Sequence, residues 1–142
     1  MIPKDSYSVT YKNNKNVGRA SVTVTLKGNY KGTLTKTFDI LPKGTGISKL
    51  KGSVKGFKAT WKKQSTQTSG YEIQYSTNKK FTKKASKIKA VAKKTAKSKS
   101  ITGLKAKKTY YVRIRTYKKV KINGKLKKMY SSWSKAKKVT TK

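Results

Sequence analysis

The chain lacks both cysteine and histidine, and among its 142 residues only Asp5, Asp39 and Glu72 are acidic. Without cysteine there is no disulfide framework, no thiolate nucleophile and no thiolate metal site. Without histidine the commonest general base and metal ligand is missing. The three carboxylates stand far apart in sequence, and the glycines are scattered at turns rather than gathered into a phosphate-cradling loop. The sequence therefore reads as non-catalytic, with no cofactor and no metal site. No apolar run approaches the roughly 18 to 20 residues of a membrane-spanning helix, so no integral membrane segment is expected. The opening MIPKDSYS lacks the apolar stretch of an export signal, which fits either a cytosolic protein or a fragment of a larger exported one.

Positive charge is what the chain has in excess. Lys and Arg total 39, for a formal net charge of +36, and only Arg19, Arg113 and Arg115 are arginine. Lysine is a hydrated point charge on a flexible stem, whereas arginine carries the planar fork that reads phosphates and base edges in pairs. This bias suits diffuse attraction to a polyanion better than sequence-specific readout. So large a charge also repels itself at low salt, and counterions or a polyanion would stabilise the fold.

Residues 1–41 hold three strand-like runs in about 35 residues, separated by strong turn signals. Tyr7, Val9 and Tyr11 alternate before Asn13-Asn14-Lys15-Asn16. Ala20, Val22 and Val24 alternate with Ser21, Thr23 and Thr25 before Lys27-Gly28-Asn29-Tyr30-Lys31-Gly32, and Leu34, Phe38 and Ile40 follow. This meander has one apolar face and nothing obvious to cover it. The ordered pattern resembles the second half of a bacterial Ig-like surface repeat: a tyrosine strand, an Asn-rich turn, a Val/Thr strand, a GNYxG turn and a Phe strand. That resemblance implies a chain that begins inside a domain. Its open face is expected to pack on the following domain, to pair with a second molecule, or to stay partly disordered.

Residues 42–46, with Pro42, Gly44 and Gly46, read as a short linker. From residue 47 to 142 the strands come at the spacing of a β-sandwich. Ile47, Leu50 and Val54 form an irregular first strand; Phe57, Ala59 and Trp61 alternate in the second, and Tyr71, Ile73 and Tyr75 in the third. A weaker strand is expected around Ile88, Ala90 and Val91, and a short one centred on Ile101. In LKAKKTYYVRIRTY, residues 104–117, Tyr110, Val112, Ile114 and Thr116 take one side of an extended strand. Tyr111, Arg113, Arg115 and Tyr117 take the other. Asn123-Gly124 then signals a hairpin, and a last strand ends at Val139. The expected core is Trp61, Tyr71, Ile73, Leu104, Tyr110, Val112 and Ile114.

This set resembles a fibronectin type III domain of a bacterial, Gram-positive-type surface protein. Trp61 in KATWKK sits where the family places its core tryptophan, and GYEIQYS matches the third strand. In LKAKKTYYVRIR the leucine and corner tyrosine six apart are Leu104 and Tyr110, and YSSWSKAKKVTT matches the final strand. Two departures stand out. Ala106-Lys107 replaces the Pro-Gly often found in the corner turn, which weakens that turn signal. Lys99 takes a position often held by an apolar residue, which makes the fifth strand the least defined. The resemblance implies an all-β fibronectin type III/Ig-like sandwich preceded by a partial three-stranded meander.

Two features are candidates for binding. Tyr130-Ser131-Ser132-Trp133-Ser134 is similar to the WSxWS box of class I cytokine receptors, which share the fold. There the tryptophan lies between arginines of the neighbouring strand, so Tyr111, Arg113, Arg115 and Trp133 are expected to form a ladder that braces the sheet, with ligand binding as the lesser reading. The run KKFTKKASKIKAVAKKTAKSKS places Lys79, Lys80, Lys83, Lys84, Lys87, Lys89, Lys93 and Lys94 in the least regular part of the domain, where they can converge on a polyanion. The expected role is a non-catalytic adhesion module, extracellular or cell-wall associated, docking to teichoic acid, a glycosaminoglycan or another acidic glycan. A spacer without ligand and a non-specific nucleic-acid binder at low salt are the alternatives. Self-pairing through the incomplete N-terminal segment is a further expected contact.

Overall fold

A computed structural model of the chain describes residues 3–142. Two compact units emerge. One holds the chain up to Leu41 together with Val120–Lys127, and the other holds Pro42–Lys119 with Lys128–Lys142.

The first unit is an antiparallel sheet of β1 (Tyr7–Lys12), β2 (Gly18–Leu26) and β3 (Thr33–Ile40), in that order. Register puts Val9, Val24 and Leu34 in one row and Ala20 beside Phe38. Because side chains alternate, one face is apolar and the other carries threonines and the Arg19–Asp39 pair. Thr23 and Thr35 share a hydroxyl hydrogen bond of 2.9 Å on the polar face. Arg19 Nε donates to Asp39 at 2.9 Å, and this bond lowers the carboxyl below its usual range. Val17, Ala20 and Ile122 are buried in this unit, and Val120 lies 4.0 Å from where a Cβ on Gly18 would stand. The hairpin tip thus covers one end of the apolar face. Tyr11, 59% exposed, and Leu34, 58% exposed, remain open.

The second unit is the sandwich. Its smaller sheet runs β4 (Ile47–Ser53), β5 (Gly56–Trp61), β8 (Ser98–Ile101). Its larger sheet runs β10 (Lys125–Tyr130), β9 (Thr109–Ile122), β6 (Gly70–Ser76), β7 (Ser86–Val91), and β11 (Lys137–Thr140) pairs with β9 as well. Trp61, Tyr71, Ile73, Leu104, Tyr110, Val112 and Ile114 all lie in one buried cluster, with Phe57, Ala59, Ile101 and Val139. The Trp61 and Tyr71 rings stand 5.2 Å apart. Burying a tyrosine requires a partner for its hydroxyl. Tyr71 OH donates to Lys94 O at 2.7 Å and accepts from Gln64 N–H at 2.7 Å.

Several sequence expectations shift. The final strand is two, β10 and β11, separated by the YSSWS segment. Val54 is 75% exposed, because it sits in the β4–β5 turn rather than in a strand. Ile88 is 51% exposed, since register sets it opposite Gln74 on the outer face. The fifth strand forms at β8, with Lys99 paired to Ala59. Lys107 takes φ +50° in the corner turn, so the chain builds that turn without glycine. Tyr117 keeps its expected outer face but is only 1% exposed. Its register partner is Gly70, which leaves room for the ring to lie flat across β6.

That vacancy is a requirement. A Cβ on Gly70 would meet Val91 O and stand 2.7 Å from Tyr117 OH. Gly70→Ala is expected to destabilise the sandwich by about 2 kcal/mol, in the range of overpacked cores, measured by urea denaturation. An unchanged midpoint would show that the strand gives way at no cost.

Candidate anion-binding surface

β9 turns Tyr110, Val112 and Ile114 into the core, so Tyr111, Arg113 and Arg115 emerge on the outer face beside Gln74 and Glu72 of β6. The Arg113 guanidinium lies 4.1 Å from the Phe81 ring centre and 4.8 Å from that of Trp133. The Arg115 guanidinium lies 4.2 Å from Trp133 and 3.7 Å from Tyr130. The sequence of planes is Phe81, Arg113, Trp133, Arg115, Tyr130, each cation between two ring faces of opposite electrostatic character. Beside the stack, Lys128 Nζ sits 4.5 Å over the Tyr117 ring.

Hydrogen bonds fix these planes from the strand side. Arg113 Nε donates to Gln74 Oε1 at 2.8 Å; Arg115 donates through Nε and Nη2 to Glu72 Oε2 at 3.0 and 2.7 Å. Lys128 Nζ is 3.6 Å from the other Glu72 oxygen. Glu72 is therefore held chiefly by an arginine fork. Burial, and then the charge of Arg115, lower the Arg113 pKa from its ordinary value, though a guanidinium stays charged regardless. The YSSWS segment is tied to β9 by its serines. Ser131 and Ser134 N–H donate to Thr116 O and Ile114 O at 3.1 and 2.8 Å. Their hydroxyl oxygens accept from the N–H of the same two residues, both at 3.0 Å.

The stack unites three of the four expected ladder residues, Arg113, Arg115 and Trp133; Tyr111 shares the face but joins none of its ring contacts. Phe81, Tyr130, Gln74, Glu72 and Lys128 escaped sequence reasoning as members of the stack. The signal for Glu72 and Gln74 was present, since GYEIQYS alternates in step with the arginines of β9. Phe81 had none: it reaches Arg113 from a loop position at φ +53°. With their ring-facing sides covered, both arginines are largely committed within the protein.

The lysines are placed differently. Lys79 and Lys80 lie in the loop after β6, Lys83 and Lys84 in a 3-10 turn, Lys87 and Lys89 on β7, and Lys93 and Lys94 in the turn beyond it. All eight are exposed. β7 pairs only with β6, and β8 only with β5, so each is the edge of its sheet. Register aligns Lys87 with Tyr75 and Lys89 with Ile73, which sets both ammoniums on the side facing the smaller sheet. There Lys89 and Lys99 frame a gap of about 220 Å³ with Tyr75, Ser100, Ile101 and Thr102. Lysine along an edge also blocks strand addition by other chains.

A two-sheet sandwich with a core tryptophan on β5, a corner tyrosine on β9 and a serine-tied bulge before the last strand defines an all-β module of the fibronectin type III kind. The fibronectin type III domain family matches residues 42–132, well over half of the chain, and the chain belongs to that family. Such domains are generally non-catalytic binding or spacer modules and occur typically in extracellular proteins. Comparison with curated proteins returns no match. Among the described residues no helix is long and apolar enough to cross a membrane.

Trp133→Ala removes the central plane of the stack. With about 0.5 to 1 kcal/mol for each exposed cation–π contact, it is expected to lower the melting temperature by roughly 5 to 10 °C. Thermal unfolding followed by circular dichroism checks this. Unchanged stability together with lost polyanion binding would reassign the stack to ligand recognition.

Proposed function

We propose that the chain is a non-catalytic docking module of an extracellular or wall-associated bacterial surface protein, and that its partners are anionic polymers such as teichoic acid, glycosaminoglycan or acidic glycan. The N-terminal meander, on this reading, is part of a bacterial Ig-like repeat. One observation carries the proposal: Lys79, Lys80, Lys83, Lys84, Lys87, Lys89, Lys93 and Lys94 are all exposed on and around one sheet edge, and no acid interrupts them in sequence. A polymer laid along that edge releases its condensed counterions, which drives association without a shaped pocket at every repeat.

The arginines favour this reading over dedicated nucleic-acid binding. The planar forks suited to base edges belong to Arg113 and Arg115, and both are engaged by ring faces and by Gln74 and Glu72. What remains for a ligand is lysine. The braced stack also suits a stiff spacer, which is the second reading.

Salt-gradient elution of the folded chain and of the chain denatured in urea, from heparin, teichoic acid and oligonucleotide columns, separates these readings. A docking module elutes from heparin or teichoic acid at higher salt when folded than when denatured. Equal elution salt in the two states would reduce the chain to a spacer. Preferential retention on oligonucleotide above physiological salt would make it a nucleic-acid binder.

A further inference from the structure

Between β7 and the corner turn lies a cleft of about 440 Å³, lined by Tyr75, Thr77, Lys84, Ala85, Lys87, Gly103, Leu104, Lys105, Lys108 and Tyr110. Lys84 and Lys87 stand on one wall, in the 3-10 turn and on β7; Lys105 and Lys108 stand on the other. No acid lines it. Glu72, the acid of this unit, faces the other side of β6 and is bound by Arg115. Four lysines thus border one concavity with no acidic residue in its lining.

The floor supplies neutral donors. The Tyr75 and Tyr110 rings meet edge to face at 6.4 Å. Tyr110 OH accepts from Lys105 N–H at 3.3 Å, which leaves its own hydrogen free to donate, and among the described residues no hydrogen bond engages Tyr75 OH. Burial, and secondarily Tyr110, raise the Tyr75 phenol above its ordinary value, which favours its protonated, donating form.

One wall is also held in place. Leu104 N–H donates to Lys55 O at 2.9 Å, and Lys108 N–H donates to Thr141 Oγ1 at 3.0 Å. Thr141 Oγ1 donates in turn to Lys105 O at 2.6 Å, and Thr141 N–H to Lys108 O at 3.0 Å. Thr141 is buried, so the backbone that presents both lysines is fixed before any ligand arrives. Ordering already present is not charged against binding.

We propose that this cleft is the register site of the polymer contact: it takes one phosphate or sulfate ester group of an anionic glycan-type polymer among Lys84, Lys87, Lys105 and Lys108, with the phenols of Tyr75 and Tyr110 donating to it. The proposal rests on the docking function given above and adds a position at which the polymer is gripped rather than merely attracted. The volume falls within the about 300 to 1,000 Å³ of small-ligand sites. Lysine suits the task, because a compact tetrahedral anion needs point charges from several directions rather than one planar fork.

The test uses the full chain, with a heparin tetrasaccharide and a glycerol-phosphate oligomer as probes, titrated by calorimetry at about 150 mM salt. Lys105→Gln/Lys108→Gln is expected to weaken binding of the preferred probe by at least about tenfold. Lys51→Gln/Lys58→Gln, a register pair of the smaller sheet outside both the cleft and the lysine edge, removes equal charge and is expected to change it by less than about threefold. Tyr75→Phe keeps the ring and loses the donor, with an expected loss of about three- to tenfold. The probe that binds tighter names the source of the anion. Equal losses in the two lysine pairs would overturn the cleft while leaving diffuse polymer docking intact. Failure of the unaltered chain to bind either probe would overturn both. Tighter binding of single-stranded oligonucleotide through the same two lysines would overturn the glycan assignment.

Discussion

Ile114 and Thr116 of β9 present their amides to a segment that is not a strand, the break between β10 and β11. Buried amides without partners cost about as much as a lost hydrogen bond each, and a central strand has no water to turn to. Ser131 and Ser134 resolve this with side-chain hydroxyls set where carbonyls would stand. Everything on the outer face follows from that substitution. The bulge swings Trp133 out over β9, the indole finds a guanidinium on each side, and those guanidiniums are aimed by Gln74 and Glu72 one strand over. The serine contacts tie the segment that carries Trp133 to β9 and so set the central plane of the stack above the arginines.

The same frame explains how so small a core tolerates so much charge. The buried cluster between the sheets is apolar apart from tyrosine hydroxyls, the Trp61 indole N–H and a few threonine and serine groups; Tyr71 and Thr141 are hydrogen bonded, while Trp61 Nε1 and Ser86 Oγ have no hydrogen-bond partner among the described residues. Among the described residues no lysine is buried; the lysines lie on outer strand faces as well as at edges, turns and loops, where long stems cover apolar surface while the ammoniums stay in water. Self-repulsion is then spread over the surface instead of being concentrated against the core.

How far the sequence foretold this depends on the kind of evidence. Alternation in YYVRIR and in GYEIQYS fixes which side chains enter the core, because a period of two admits one choice of face once a single residue is placed. The family resemblance supplied the order of strands on top of that. Other features depend on contacts between residues distant in sequence, and these were illegible. Phe81 joins the stack from a left-handed loop position. Tyr117 is buried because its partner across the sheet is a glycine 47 positions away, as Gly70 and Tyr117 pair in register. The grouping of Val120–Lys127 with the N-terminal meander was equally hidden, since nothing local in VKINGKLK distinguishes a free hairpin tip from a covered one. Thr141, near the end of a polar run, gave no sign that its hydroxyl organises a turn more than thirty residues earlier.

The three arginines and the lysines divide their labour cleanly. Arg19 is bound to Asp39, Arg113 and Arg115 are built into the stack, and among the amines of the described residues Lys128 alone touches that stack by ring or carboxylate. Two kinds of cation therefore serve two ends, and chemistry tells them apart. Acylation of amines strips the surface of its charge and leaves the guanidinium brace standing, while a dicarbonyl reagent that seeks guanidines attacks the brace and spares the surface. Shape and attraction in this molecule are separately erasable, one functional group at a time.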